Sequence, residues 1–340
     1  MPRKPVASAV ADPLGPDLVD APSVPRPDAP GEEPRVPIYL ISPASAVPAD
    51  APWQASLAAM RAAGFEPVPD RGALRTHQRF AGTDAQRAAA FARAAAQPAR
   101  AVMITRGGYG ITRLLPRLDF EALARAGKQW IGYSDFTAFQ LAMLARAGAI
   151  TWSGPALLDD FVVPPGTQPD ETTVGSLHDA LAGRAELLGF QASGASGVEV
   201  RGTLWGGNLS LVCALLGTPW FPRVSGGILF LEEVGEHPYR VERMLGQLLQ
   251  AGVIDAQAAV LVGHVNRYTL VARDAGFDMP AVLRRLRGLT RTPILSGLPV
   301  GHDSPKLTLP HGATVGLVTE GRHAWLILHD DHLHDDPNDA

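Results

Sequence analysis

The sequence predicts an α/β protein of two domains, and three observations support this class. The chain has 340 residues, 46% apolar and 19% charged, which is enough to build about two domains. Short aliphatic runs alternate with alanine-rich segments of helical period. Over residues 161–198 the alternation becomes weaker, and it is clear on either side of this segment. We therefore predict an N-terminal, mostly parallel α/β domain over residues 36–160, an interdomain connection over 161–198, and a smaller C-terminal α/β domain over 199–330.

The two ends of the chain lack this alternation. Residues 1–35 contain nine prolines and few aromatic or long aliphatic side chains, so we expect a disordered leader. The apolar stretch that follows Arg3 and Lys4 is too short for a signal peptide, which favours a cytoplasmic location. Residues 331–340 are rich in histidine and aspartate, and we expect a solvated tail.

The first block begins with a strand and continues with strand–helix connections, which are typical of a parallel sheet. Gly64 suits the end of its first helix, because glycine accepts the left-handed cap conformation. The predicted strands are Val36–Ser42, Ala101–Thr105 and Gln129–Gly132, and the predicted helices are Trp53–Ala63 and Asp84–Ala95.

The second block follows a glycine-rich segment, Arg201–Gly207, which we interpret as a turn. Its clearest helix, Pro238–Gln250, has one apolar face and a proline where the first turn tolerates it. The remaining predicted elements are the helices Thr172–Ala182 and Leu209–Leu216 and the strands Gly227–Glu232, Ala258–Gly263, Pro293–Ser296, Thr314–Val318 and Ala324–Leu328.

Composition excludes several classes of function. The net charge of −4 offers no overall positive field, so we expect neither a nucleic acid nor a membrane as partner. No apolar run approaches the roughly 18 residues of a membrane-spanning helix. The single cysteine, Cys213, allows no internal disulfide and no cysteine-based metal site. The candidate residues below require no metal and no organic cofactor.

The strand Gln129–Gly132 runs through a tight turn at Ser134 into a helical segment. A serine there lies at the carboxyl end of a parallel strand, beside a helix amino terminus that can stabilise an oxyanion. The segment is similar to the nucleophile elbow G-x-S-x-G, but Phe136 replaces the last glycine. The alternative is that Ser134 only caps the helix.

A glycine loop, Arg106–Gly110, follows the strand Ala101–Thr105 and therefore lies at the same sheet edge as Ser134. Its backbone N–H groups can approach a ligand without side-chain obstruction. The dinucleotide fingerprint is not satisfied, because Arg113 stands where its third glycine belongs. The alternative is an ordinary turn.

A serine nucleophile needs a base, and the base needs an orienting acid. Among ten histidines we favour His302, which lies in a loop after a predicted strand, where α/β sites are built. Glu232 ends an apolar strand and is the candidate acid, whereas we expect Glu233 to face solvent or pair with Arg240. The chain order serine, glutamate, histidine matches one of the known triad orders.

Taken together, five ordered segments resemble the LD-carboxypeptidases, the murein tetrapeptide carboxypeptidase family of serine peptidases. The resemblance covers about Val36 to Leu328. It implies that Ser134 is the nucleophile, His302 the base and Glu232 its orienting acid. The segments are Arg106–Gly110, Gly132–Asp135, Gly202–Leu209, Leu231–Glu233 with Glu236–Arg240, and Gly301–His302 with Thr308–Pro310.

The resemblance also implies an oxyanion hole from the backbone N–H groups of Gly108 and Asp135, an interdomain active site and a homodimer. The implied reaction releases the terminal D-alanine from a peptidoglycan tetrapeptide or muropeptide. We add Arg106 as the candidate partner of the substrate carboxylate. Trp205 and Asn208 are candidate substrate contacts, with a structural role as the equal alternative.

Three other functions stay open. The microcin immunity proteins share the triad and cleave a different linkage. An esterase-type α/β-hydrolase shares the triad order but favours glycine at position 136. A non-enzymatic muropeptide-binding module would use Ser134 only as a cap.

Overall fold

The computed structural model describes residues 35–164 and 166–328. Residues 1–34 of the leader predicted for 1–35, and the whole of the tail predicted for 331–340, lie outside the described residues. In chain order the strands are β1 Val36–Ile41, β2 Phe65–Pro69, β3 Ala101–Ile104, β4 Gln129–Gly132, β5 Thr151–Ser153, β6 Leu187–Gln191, β7 Glu199–Asn208, β8 Ile228–Val234, β9 Ala259–Asn266, β10 Ile294–Ser296, β11 Leu309–His311, β12 Thr314–Glu320 and β13 His323–Ile327. The helices are α1 Trp53–Ala62, α2 Asp84–Ala95, α3 Phe120–Arg125, α4 Thr137–Ala147, α5 Leu157–Asp160, α6 Glu171–Ala182, α7 Leu209–Leu215, α8 Pro238–Gln250 and α9 Met279–Arg287.

The first sheet has six strands in the order β11-β5-β4-β3-β1-β2. Five of them are parallel, and only β11 is antiparallel to its neighbour. Alternate residues of β1 enter two different apolar clusters, with Ile38 on one face and Ile41 on the other. Helices cover both faces, as a parallel sheet requires, and the predicted N-terminal α/β domain is present.

The second sheet has seven strands in the order β10-β9-β8-β7-β12-β13-β6. The run β10-β9-β8-β7 is parallel, and the remaining pairs are antiparallel. Within β8, Leu229 and Phe230 enter different apolar clusters, so this strand is also buried on both faces. The protein is therefore a two-domain α/β structure with mixed sheets, as the sequence predicts.

The turn predicted at Arg201–Gly207 is wrong, because these residues lie inside β7 at the middle of the second sheet. Glycine is needed here for close packing. A Cβ on Gly206 would lie 1.9 Å from the carbonyl oxygen of Phe230 on β8. The same glycines that suggest a turn in the sequence thus allow two strands to approach each other.

The chain passes between the two sheets more often than the predicted domain limits suggest. The predicted connection 161–198 contains α6 and also β6, which pairs with β13 at the edge of the second sheet. After β10 the chain returns to the first sheet, where β11 pairs with β5. The segment 297–308, between β10 and β11, therefore runs from one sheet to the other and carries His302 with it.

Candidate active site

Ser134 lies between β4 and α4, in a short 3-10 turn that spans Ser134–Phe136. Its φ of 60° is in the left-handed region, which residues other than glycine rarely adopt. Among the described residues its hydroxyl has no hydrogen-bond partner, and neither cap position, Tyr133 or Phe136, makes a side-chain cap. The capping alternative therefore lacks support, and the backbone has the strained form of a nucleophile elbow.

The departure from G-x-S-x-G at Phe136 has a local explanation. The Phe136 ring is buried and packs against the tilted ring of Phe139 in α4, with 4.9 Å between the ring centroids. A Cβ on Gly132 would lie 2.8 Å from a ring carbon of Phe136. The space for the sharp turn is thus provided at position 132, so position 136 can hold an aromatic ring.

The glycine loop lies directly against the serine. A Cβ on Gly107 would lie 2.7 Å from the Ser134 hydroxyl oxygen, so only glycine fits there. Among residues 35–164 and 166–328, the amides of Gly108 and Asp135 find no hydrogen-bond acceptor. Unpaired N–H groups on the two sides of a serine are the donors that an oxyanion hole requires.

The carboxylate of Asp135 holds the glycine loop in place, a role that the sequence analysis did not predict. Its Oδ2 accepts a hydrogen bond of 2.9 Å from the Ile111 amide, and the Gly110 amide also donates to it. The buried guanidinium of Arg87 donates to the Gly110 carbonyl at 3.0 Å. Burial raises the pKa of Asp135 to about 6, and the two amides and Arg87 limit the rise. The sequence signal for this role was the position of an acidic residue directly after Ser134.

Glu232 and His302 form a hydrogen bond that is partly buried. The distance between His302 Nδ1 and Glu232 Oε2 is 2.8 Å, and the Glu232 side chain is 2% exposed. A register irregularity of β8 falls between Leu231 and Glu233, and such bulges commonly redirect a side chain beside an active site. If Nδ1 donates to the carboxylate, Nε2 is left unprotonated and can accept a proton.

Tyr133 links this pair to Ser134. Its ring packs edge-on against the imidazole of His302, with 4.8 Å between the ring centroids. Since Tyr133 immediately precedes Ser134, the imidazole lies beside the elbow. Ser134 follows a strand of the first sheet, Glu232 lies on β8 of the second sheet, and His302 lies in the segment that joins the two sheets. The Tyr133 contact brings His302 next to the residue before Ser134.

The expectation that Glu233 faces solvent or pairs with Arg240 is wrong. It is 3% exposed and accepts hydrogen bonds from the Asn208 side chain at 3.1 Å and from the Ser210 amide and hydroxyl at 2.8 and 2.6 Å. Arg240 pairs instead with Glu236 at 3.3 Å. Glu233 therefore attaches the start of α7 to β8 and has no free oxygen for catalysis.

The fold uses the side chains of both Trp205 and Asn208. Trp205 is 1% exposed, and its indole N–H donates to Gln257 at 2.9 Å. Asn208 is 4% exposed; its oxygen caps α7 at the Leu211 amide, and its NH₂ donates to Glu233. Both side chains therefore have structural partners, which supports the structural alternative, and substrate contact by either stays a prediction.

Arg106 remains available at the start of the glycine loop. It is half-buried, and its Nη1 donates to the Ala46 carbonyl at 3.1 Å. Its other N–H groups make no hydrogen bond to a described residue. An exposed arginine, Arg79, lies 5.7 Å from the ring of Tyr109 in the same loop. The rim beside Ser134 is therefore cationic.

Within the described part of the chain, no group of three or more histidine, cysteine, aspartate or glutamate residues is arranged to hold a metal ion. No helix in that part is both long and apolar enough to span a bilayer.

Two family models match this chain. The LD-carboxypeptidase N-terminal domain matches residues 38–154, and the LD-carboxypeptidase C-terminal domain matches residues 201–317. The chain belongs to the LD-carboxypeptidase family. Members of this family are serine carboxypeptidases, so the protein is an enzyme of that type.

Individual LD-carboxypeptidases and their relatives agree with this assignment. A putative carboxypeptidase of Streptomyces coelicolor is 35% identical, over 82% of this chain and 89% of its own. The crystal structure of a muramoyltetrapeptide carboxypeptidase from Oxalobacter formigenes has a TM-score of 0.78 and 38% identity, covering 86% of this chain and 99% of its own. The microcin C7 self-immunity protein of Escherichia coli is 26% identical, over 75% of this chain and 81% of its own.

The raised pKa of Asp135 predicts a pH-dependent stability difference between the wild type and Asp135→Asn. Because the folded-state pKa is about 6 and the ordinary value 3.8, ionisation of Asp135 disfavours the folded state. The stability of the wild type relative to the variant should therefore fall as pH rises through this window and stay level above it. The unfolding free energy of the wild type, relative to that of the variant, should fall by up to about 3 kcal/mol in total. Each tenfold change in proton affinity corresponds to about 1.4 kcal/mol. Urea unfolding at several pH values measures it.

Asp70→Asn is the matched control with the opposite sign. Burial opposes ionisation of Asp70, but hydrogen bonds from Arg93, Tyr39 and Gly72 hold its pKa below the ordinary value of 3.8. The stability that wild-type Asp70 contributes should therefore be lost as pH falls. Parallel pH profiles for the two variants would contradict both assignments.

Proposed function

We propose that this protein is a serine LD-carboxypeptidase that releases the terminal D-alanine from peptidoglycan tetrapeptides through a triad of Ser134, His302 and Glu232. The observation that carries the proposal is the Glu232–His302 hydrogen bond of 2.8 Å, packed against the residue before Ser134. A buried carboxylate, an imidazole and a strained serine are the three groups that this acyl transfer uses.

In the first half-reaction, the Ser134 oxygen attacks the carbonyl carbon between diaminopimelate and D-alanine. His302 Nε2 takes the hydroxyl proton, and Glu232 stabilises the resulting imidazolium. The amides of Gly108 and Asp135 donate to the tetrahedral oxyanion. As the C–N bond breaks, the imidazolium returns its proton to the amine of D-alanine, and the tripeptide remains as an ester on Ser134.

In the second half-reaction, His302 removes a proton from a water molecule that attacks the ester carbonyl. The second tetrahedral intermediate collapses, and the proton passes from His302 to the Ser134 oxygen as the ester bond breaks. The tripeptide leaves with a new carboxylate, and the free enzyme is restored. Every proton is carried by His302, so no step requires a metal or an organic cofactor.

An exopeptidase must recognise the free carboxylate of the residue that it removes. Arg106 supports this role because it stands at the start of the glycine loop and has donors to spare after its bond to Ala46. A guanidinium can bind a carboxylate through two parallel hydrogen bonds, which fixes the position of the peptide end. A chain that continues beyond D-alanine would lose this contact.

The identity to the muramoyltetrapeptide carboxypeptidase, 38%, exceeds the 26% to the microcin C7 self-immunity protein, and this favours the peptidoglycan substrate. A microcin-type aminoacyl-nucleotide substrate is the second candidate because both relatives match over most of the chain. The proposal extends to cell-wall recycling, a cytoplasmic location and a homodimer. Cell fractionation and light scattering of the purified protein test the last two.

Ser134→Ala should abolish the loss of one alanine from a free tetrapeptide, because it removes the attacking oxygen. The enzyme and the variant are incubated with the tetrapeptide, and the products are measured by mass spectrometry. Cleavage by the variant at the wild-type rate would exclude Ser134 as the nucleophile. A wild type that leaves the tetrapeptide intact but cleaves an aminoacyl sulfamoyl nucleotide would instead select the second candidate.

Substitution of the two adjacent glutamates should separate catalysis from stability. Glu232→Gln should lower kcat by about 10²- to 10⁴-fold, because a neutral amide cannot stabilise the imidazolium. Glu233→Gln should mainly lower the melting temperature, because its oxygens hold the start of α7. Steady-state kinetics and thermal unfolding of both variants provide the comparison. Equal losses of kcat would contradict the assignment of Glu232 as the orienting acid.

Arg106→Met should raise KM for the tetrapeptide by about 10-fold or more, since the carboxylate loses a charged hydrogen-bond partner. The C-terminally amidated tetrapeptide serves as the matched substrate, because it has no carboxylate for Arg106 to bind. The variant and the wild type should therefore differ much less on the amide. An equal effect on both substrates would assign Arg106 to the loop structure alone.

A further inference from the structure

A buried ion pair lies beneath the active site and joins the two sheets. Lys306 is 1% exposed, and its Nζ lies 2.8 Å from Asp160 Oδ1 and 3.0 Å from Oδ2. Asp160 is the last residue of α5, beside the first sheet, and its Oδ2 also accepts the Ala156 amide at 2.8 Å. Lys306 lies in the segment 297–308, four positions after His302. The ion pair thus fixes the His302 segment to the first domain.

Backbone contacts hold the same segment at two further points. The Lys306 amide donates to the Thr173 hydroxyl at 2.9 Å, and the Thr308 amide donates to the Ser176 hydroxyl at 2.8 Å. Both hydroxyls belong to α6, which packs against the first sheet through Leu177. These contacts position the backbone of the segment. The Lys306 side chain is the part of it that reaches towards the elbow.

The ammonium group also contacts the ring that touches the catalytic histidine. Lys306 Nζ lies 3.6 Å from the centroid of the Tyr133 ring, within the range of a cation–π contact. The same ring packs edge-on against His302, at 4.8 Å. Burial, together with the nearby carboxylates of Asp159, Asp160 and Glu232, keeps the pKa of Tyr133 well above 10, so the ring stays neutral.

We propose that the Lys306–Asp160 ion pair is a positioning element that holds His302 in line with Ser134 through the ring of Tyr133. The proposal rests on the assignment of Ser134 and His302 as nucleophile and base. The orientation of His302 about the Glu232 bond is not fixed by that bond alone, because an imidazole can tilt around a single hydrogen bond. The Tyr133 ring limits this tilt, and the cation on the ring limits the movement of the ring.

A buried ion pair suits this purpose better than an apolar contact. Its net contribution to stability is small, because removing two charges from water offsets their attraction. Its geometry, however, is narrow: Nζ must remain within hydrogen-bond distance of the carboxylate and over the ring. An apolar side chain in the same place would fill the volume, but it would let α5 and the His302 segment shift relative to each other. The pair therefore acts as a distance constraint between α5 and the His302 segment.

The test compares Lys306→Met, Asp160→Asn and the double variant. Methionine keeps most of the lysine stem, and asparagine keeps an acceptor for the Ala156 amide. The primary readout is the rate at which a fluorophosphonate probe labels Ser134, measured by mass spectrometry. This rate depends on the assembled triad and not on the natural substrate. The second readout is the melting temperature.

Each single variant should lose stability, because it leaves one charge buried without a partner. The double variant should recover the melting temperature but should label Ser134 about 10- to 100-fold more slowly than the wild type, since small displacements of a catalytic group have effects of this size. Labelling at the wild-type rate in a double variant that is as stable as the wild type would overturn the proposal.

The matched control is the Arg93–Asp70 ion pair near the β2 edge of the first sheet. Like the Lys306–Asp160 pair, it combines a cation, a buried aspartate and a tyrosine. The Asp70 side chain is 1% exposed, and the Tyr39 hydroxyl lies 2.7 Å from it. Arg93→Met with Asp70→Asn should change the melting temperature and leave labelling at the wild-type rate. A labelling loss equal to that of the Lys306 and Asp160 variants would show a general effect of charge removal and would overturn the proposal.

A variant pair at Tyr133 covers the case in which the ion-pair variants do not fold. Tyr133→Leu, which lacks the ring, should label more slowly than Tyr133→Phe, which keeps it; equal rates would overturn the proposal. The test of the ion pair can be told apart from the test of the proposed tetrapeptide substrate. A wild type that labels at Ser134 but does not cleave the tetrapeptide refutes the substrate and leaves this comparison intact. A wild type that does not label at Ser134 refutes both.

Discussion

The hydrogen bond between Glu232 and His302 is the interaction on which the rest of the site depends. The carboxylate is almost fully removed from water, and among the described residues its hydrogen-bond partner is the His302 imidazole. A charge in such surroundings is tolerated only where a polar group meets it. The chain must therefore bring His302 to β8 and to the Ser134 elbow together. The segment from β10 to β11 meets both demands, because it leaves the second sheet beside Glu232 and ends in the first.

The elbow has its own constraint, which is backbone strain. The left-handed conformation of Ser134 costs free energy and persists only because its surroundings permit no other arrangement. Phe136 fills the space over Gly132, and Gly107 lies against the hydroxyl. Asp135 and Arg87 then hold Gly110 by its amide and its carbonyl. The Ser134 hydroxyl lies against the glycine loop, and the packing around it maintains that position.

Much of the fold follows from local pattern. Gln129–Gly132 and Pro238–Gln250 have the predicted limits, because an aliphatic run and an amphipathic period are properties of neighbouring residues. The triad candidates could be proposed from the sequence because Ser134 and His302 each follow a strand and Glu232 lies near the end of one. The turn predicted at Arg201–Gly207 was wrong, since glycine serves close strand packing as well as turns. The Gln257 partner of Trp205 and the Glu233 partner of Asn208 are distant in sequence, as Lys306 is from Asp160. Long-range pairing leaves no local signature, so these roles appear only in three dimensions.

The return of β11 to the first sheet has a consequence for biosynthesis. Leu309 pairs with Ser153, so the edge of the first sheet is completed by residues close to the end of the described chain. A nascent polypeptide that has emerged only as far as β10 contains the strand and turn of the nucleophile but not His302. Under the proposed triad, such a chain holds the nucleophile without its base. Hydrolytic competence would then arise late in translation, when a contact of long sequence separation closes.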